Sequence, residues 1–144
     1  MPRPTPDLLN PARYRHRTQI TSRFADLDPN DHINNVAIAA MFEDARVRFN
    51  KAMGMVPDRR PGGRMFMVAA VEINYLAQAH FPDPLECVTA PIGTGTTSWR
   101  LLQVLLQNAV PVATAQSVLV SIIDNRPAPL GDDLIAALAP WMLA

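Results

Sequence analysis

Between Val36 and Met53 the apolar residues Ile38, Met41, Ala45, Phe49 and Ala52 recur three or four positions apart, and Phe42 follows Ile38 by four. That spacing paints one face of a helix apolar over about 27 Å, at about 1.5 Å per residue. Asn34 or Asn35 can cap its start, and Gly54 followed by Pro57 can stop it. Asp44 and Arg48, four apart, can pair on the surface. The rest of the chain alternates with the period of strands. Tyr14, His16, Thr18, Ile20 and Ser22 alternate with arginines and Gln19 within a strand predicted near Tyr14 to Phe24. Four more are predicted at Phe66–Tyr75, Leu85–Thr94, Ser98–Gln107 and Val112–Asp124. Gly93-Thr94-Gly95-Thr96-Thr97 and Gln107-Asn108-Ala109 read as hairpin connections. The last strand lacks proline, which suits a central place in a sheet. With no second helix between strands, the sheet is expected to be mainly antiparallel rather than built from parallel crossovers. The pattern therefore predicts an α+β domain, five strands with one long helix on their face.

Residues 1–13, with Pro2, Pro4, Pro6 and Pro11, read as an irregular arm. Residues 14–131 form the expected domain, and 132–144 a short helix or loose tail. No internal repeat is visible. A chain of 144 residues suits one domain.

Thirteen basic and thirteen acidic residues cancel, which argues against capture of nucleic acid by charge. Lys51 is the only lysine, and Arg3, Arg13, Arg15, Arg17 and Arg23 read as a solvated arm and edge. Cys87, the only cysteine, excludes an intrachain disulfide and a multi-cysteine zinc site, and its strand position suggests a buried thiol. The longest apolar run, near Ile135 to Ala144, is too short to span a bilayer, and the Pro-rich start does not resemble a secretion signal. A cytoplasmic protein without membrane or nucleic-acid partners is expected.

Candidate chemistry concentrates in one turn. Asp26, Asp28, Asp31 and His32 fall within seven residues, beside Asn30, Asn34 and Asn35, just ahead of the helix. Asp and Asn also build turns and caps, so a purely structural role stands beside a catalytic one. The catalytic reading rests on the helix start, whose bare N–H groups and partial positive charge can polarise a thioester carbonyl. A carboxylate beside them can activate water or attack the carbonyl carbon. The acids are out of register for a calcium loop, and H-E-x-x-H, G-x-S-x-G, Walker and Rossmann motifs are missing, so no metal site is expected.

The run Arg23-Phe24-Ala25-Asp26-Leu27-Asp28-Pro29-Asn30-Asp31-His32-Ile33-Asn34-Asn35, followed by Phe42-Glu43-Asp44-Ala45-Arg46, resembles the 4-hydroxybenzoyl-CoA thioesterase branch of the hot-dog-fold superfamily. The resemblance implies a hot-dog fold and hydrolysis of an acyl thioester of coenzyme A or acyl carrier protein. No cofactor is implied beyond the CoA of the substrate. Asp28 matches the nucleophile or general base, and His32 matches a histidine that orients substrate or supports the oxyanion. Asn34 and Asn35 match residues shaping the helix start, where the amides of Asn35 and Val36 can meet the carbonyl. Glu43 matches a position that often faces the cleft; otherwise it pairs with Arg46 on the surface. Met41, Phe42 and Met65-Phe66-Met67-Val68 are acyl-pocket candidates, with core packing the competing role. Arg59, Arg60 and Arg64 follow the helix and can meet CoA phosphates. A homodimer or dimer of dimers with a continuous sheet is implied too.

Asp31 departs from the branch, which usually has glycine there; an extra carboxylate can tune catalysis or mark its loss. Two rival functions remain at this stage. One is a non-catalytic acyl-thioester-binding or assembly protein. The other is a hydratase or dehydratase, although its D-x-N-P-x-H register fits poorly.

Overall fold

A computed structural model describes residues 3–144; Met1 and Pro2, the first residues of the expected arm, lie outside the described part. Strand β1 (His16–Ile20) is followed by the 18-residue helix α1 (Asn35–Ala52), then β2 (Arg64–Tyr75), β3 (Leu85–Thr94), β4 (Ser98–Gln107), β5 (Val110–Ile123), the two-residue β6 (Arg126–Pro127) and helix α2 (Gly131–Leu138). The five main strands run in the order β1-β3-β4-β5-β2, with β6 paired to β5, and all named pairings are antiparallel. This is the hot-dog architecture, a curled sheet wrapped around one long helix.

The first strand is shorter than its alternating pattern predicts, because Phe24–Asp26 turns into a 3-10 helix ahead of α1. The β4–β5 hairpin closes through Asn108 and Ala109, both at positive φ (51° and 64°), the conformation that matches strand twist. β5 lies between β4 and β2, inside the sheet as the proline-free run Val112–Asp124 suggests; the strand begins two residues earlier than predicted and takes in Pro111 next to its first residue.

Ile38, Met41, Phe42, Ala45 and Phe49 are buried, and Phe42 and Phe49 are fully enclosed. Truncating either phenylalanine to alanine is expected to cost about 3–5 kcal/mol. Ala52 is exposed, so the apolar stripe ends one turn before the helix does. Gly54 ends α1 with φ +80°, donating its N–H to the Lys51 carbonyl at 2.9 Å. The inner core divides along the helix. Its N-terminal half packs with Ile20, Leu85, Cys87 and Leu105, while Phe49 packs with Trp99, Leu119 and α2.

The opposite sheet face is covered as well. Val88, Leu102, Val104 and Leu106 pack under Leu8, Leu9 and Leu143 from the two ends of the chain. Burial drives the Cys87 thiol up to about 12, so it stays protonated. Among the described residues no helix is long and apolar enough to cross a membrane.

Candidate active site

Hydrogen bonds fix the turn between β1 and α1. Asp26 accepts the Arg23 amide at 2.8 Å and its guanidinium at 3.0 Å, while its carbonyl accepts the Asn34 N–H at 2.8 Å. Burial pushes the Asp26 carboxyl up, but these Arg23 donors prevail and hold it below its ordinary value. Asp28 follows, half-buried. Its Oδ1 accepts the amides of Asn30 at 2.8 Å and His32 at 3.1 Å, and its own N–H donates to the His32 carbonyl at 2.8 Å. One carboxylate oxygen is therefore clamped, and Oδ2 has no partner among the described residues. Asp31 donates its N–H to the Asp28 carbonyl at 3.0 Å with φ +60°, a conformation glycine adopts freely. The turn thus keeps its left-handed residue despite the side chain.

Asn34 caps α1. Its side-chain oxygen accepts the Ala37 N–H at 2.7 Å, and its carbonyl accepts the Ile38 N–H at 3.1 Å. The two amides between, Asn35 and Val36, have no acceptor among the described residues. They are the bare positive end of the helix dipole. Two cavities meet there. A cleft of about 950 Å³ along β1 and one side of α1, and a smaller one of about 380 Å³ toward the end of β2, both include Asp28 and Asn35 in their walls. A carboxylate and free amides at one junction can activate a nucleophile and absorb charge on an attacked carbonyl oxygen.

The other candidates are dispersed. His32 stacks edge-on against His80, ring centroids 5.2 Å apart, and lines neither cavity at Asp28. Met41 borders the larger cleft, whereas Phe42 is sealed in the core. Glu43, Met67 and Val68 border a separate apolar pocket of about 330 Å³ farther along α1. Arg64 opens β2, where it bonds Ser121 and the Pro129 carbonyl, instead of lying in the loop. Arg60 is held by Asp58 through two 2.9 Å bonds, and Arg59 is exposed. All three lie at the start of β2, away from Asp28 in the same chain. Among the described residues no three metal-ligating side chains gather.

Two residues at these cavities were not singled out from sequence. Tyr75 closes the smaller cleft and donates its hydroxyl to the Asn35 carbonyl at 3.4 Å. Arg46 does not form the surface pair with Glu43; it is 7% exposed and faces the sheet. Burial pulls its guanidinium below the ordinary value, with Glu43 opposing. The available signal was its place four after Phe42 and three before Phe49, inside the apolar arc.

A curled sheet around one long helix is a fold shared by a family of related proteins, and comparison with known families agrees. Residues 22–138 match the model of the thioesterase-like superfamily, and the chain belongs to that family. It is similar to a Pseudomonas aeruginosa protein of solved structure at TM-score 0.80 and 25% identity, covering 92% of this chain and 95% of that one. A Thermus thermophilus thioesterase solved with coenzyme A and zinc is similar at TM-score 0.79 and 28% identity, covering 89% and 94%. A predicted thioesterase of Bacillus stearothermophilus gives 0.79 and 27%, covering 88% and 95%. No curated protein matches the sequence.

Proposed function

We propose that the chain hydrolyses acyl thioesters of coenzyme A or acyl carrier protein, with Asp28 as the reacting carboxylate and the Asn35 and Val36 amides as the oxyanion site. The observation that carries the reading is the clamp on Asp28. Two backbone amides hold one oxygen, so the other is presented at the mouth of α1 without a competing partner. As general base, Asp28 takes a proton from water while the oxygen attacks the thioester carbon. The tetrahedral oxyanion meets the two amides, the C–S bond breaks, and the proton passes to the leaving thiolate. As nucleophile, the same free oxygen displaces the thiolate from the carbonyl carbon to give a mixed anhydride, which water then opens to release the acid and restore the Asp28 carboxylate. The likeness to a thioesterase solved with coenzyme A supports the substrate class, and acyl-CoA suits a cytoplasmic setting.

A homodimer belongs to this reading. β2 is an edge strand of twelve residues, with Met67, Val68 and Val71 between 40% and 55% exposed. Antiparallel pairing of two such edges about a two-fold axis covers them. Because β2 spans roughly 36 Å, a register centred on it also brings the partner subunit's Arg59 and Arg60 toward this chain's Tyr75 and Asp28. That arrangement gives CoA phosphates a basic surface that one chain alone keeps at the far end.

The test is thiol release from a panel of short, long and aromatic acyl-CoAs and carrier-protein thioesters. Asp28→Asn is expected to lower kcat by about 10²–10⁴-fold on the best substrate. Full activity in that variant, or tight binding without turnover across the panel, ends the proposal.

A further inference from the structure

The apolar pocket farther along α1 contains a buried cation, Arg46, that has no direct ion pair among the described residues, although Glu43 stands in the same wall. Arg46 is 93% buried by its 7% exposure, and its single hydrogen bond among the described residues is to Ser117 Oγ at 3.4 Å. No ion pair among the described residues includes it. A guanidinium has five N–H donors and cannot shed its charge, so such isolation is costly. Asn50, one turn later on the same helix face, lines the same pocket with its side-chain oxygen buried and unpartnered. The remaining walls are mostly apolar, including Val47, Val68 and Leu119, with the exposed Glu43 and Lys51 among them.

This pocket lies on the same side of α1 as the smaller cleft at Asp28. β2 runs antiparallel to the helix beside it: Tyr75 reaches Asn35 at one end, and Val68 meets the pocket at the other. Val68, Val71 and Tyr75 pair with Leu119, Ser117 and Ala113, so they share the helix-facing side of the sheet. They remain 40–48% exposed, leaving an open seam between α1 and β2. Asn35 to Arg46 is eleven residues, or about 17 Å along the axis. The arginine side chain leans back toward the helix start and shortens that gap.

We propose that this seam holds the acyl chain and that Arg46, steadied by Ser117, receives a carboxylate at its far end, making the preferred substrates thioesters of medium-length dicarboxylic acids. The inference rests on the hydrolytic reading for the position of the thioester. An apolar body with one anionic end matches an apolar pocket with one buried cation. The Asn50 carboxamide, turned about its last bond, supplies a further donor. A methyl terminus leaves the buried Arg46 without a direct ion pair, and such a loss discriminates.

The test compares suberyl-CoA, octanoyl-CoA and ω-hydroxyoctanoyl-CoA on the intact protein. Wild type is expected to show about tenfold or higher kcat/KM for suberyl-CoA. Arg46→Met should reverse the order in favour of octanoyl-CoA, and Ser117→Ala should narrow the difference. Equal rates on all three, or preference for the hydroxyl terminus, overturn the inference while leaving hydrolysis standing. If no thioester is cleaved, the hydrolytic reading fails, and titration of free suberate decides the pocket separately. Binding to wild type but not to Arg46→Met supports the carboxylate site; binding to neither, or equally to both, overturns it. Should Arg46→Met fail to fold, the same titration with Ser117→Ala applies, with weakened binding expected and unchanged binding overturning the assignment.

Discussion

The Tyr75 hydroxyl donates to the Asn35 carbonyl at 3.4 Å, joining the last residue of the edge strand to the first residue of the long helix. The bond is long and Tyr75 is 48% exposed, so its share of stability is small. Tyr75 also stands on the wall of the cleft that Asp28 shares, which under the proposed hydrolysis is the acyl entrance. Tyr75→Phe is therefore expected to shift the unfolding free energy by less than about 1 kcal/mol while raising KM several-fold. Thermal melts and steady-state kinetics together check this. A large loss of stability with unchanged KM would make the contact a structural tie only.

Asp31 holds φ +60° without a glycine, and its side chain makes no hydrogen bond among the described residues. Left-handed backbone costs an ordinary side chain roughly 1–2 kcal/mol, and less for Asp. Asp31→Gly is expected to keep the turn and to change stability by under about 1 kcal/mol, strain relief being offset by unfolded-chain entropy. Because the Asp28 clamp uses only the backbone of Asn30 and His32, hydrolysis should persist. A pH–rate profile decides whether the extra carboxylate tunes the chemistry. A displaced acidic limb in Asp31→Gly shows coupling to Asp28, and an unchanged limb shows none.

The helix and its cap were legible because their signals are local. The spacing of Ile38, Met41, Phe42, Ala45 and Phe49 reports a face, and Asn34 needs only Ala37 to act as a cap. The turn around Asp28 was legible for the same reason, its hydrogen bonds lying within four residues. Arg46 was not, because charge argues for the surface and only the sheet beyond it makes the site buried. Gln103 is similar: a polar residue inside β4, fully buried, whose amide reaches the Phe42 carbonyl at 3.1 Å across the core. Leu102, Val104 and Leu106 put apolar side chains on the face of β4 away from α1, and Leu8, Leu9 and Leu143, distant in the chain, cover them. Periodicity identifies faces, and what covers a face is a long-range fact.

His16 sits between Phe49 and Trp141, ring centroids 5.3 and 5.9 Å away, with its Nδ1 buried and unpartnered. Burial pulls its pKa below the ordinary 6.5, so the folded state prefers the neutral ring. The unfolded chain binds the proton first as pH falls. The associated stability is thus fully present above 6.5 and is lost as pH drops toward the folded pKa. Melting temperatures measured from about pH 7.5 down to about pH 5 should decline in wild type, and the decline should be shallower in His16→Phe. Parallel curves for the two proteins would show that this ring does not carry the acid sensitivity.

The outer edge of β2 supplies the sharpest test of assembly. Its inner edge pairs with β5 from Arg64 to Tyr75, with a bulge between Val68 and Ala70, while no described strand pairs with the other edge. Monomeric proteins blunt such edges with charges or proline, but from Met65 to Val71 this strand carries neither. A second copy paired antiparallel across it satisfies the free backbone groups and covers Met67 and Val71. Lysine at these two positions, Met67→Lys with Val71→Lys, opposes that pairing by charge while leaving the β5 side intact. The double variant is expected to sediment as a monomer where wild type sediments as a dimer. Because Val71 also faces the seam between α1 and β2 and Met67 borders the pocket at Arg46, the sedimentation state, not the rate, is the readout of this variant. A monomeric wild type with full activity would place the whole reaction within one chain and leave the exposed edge without this explanation.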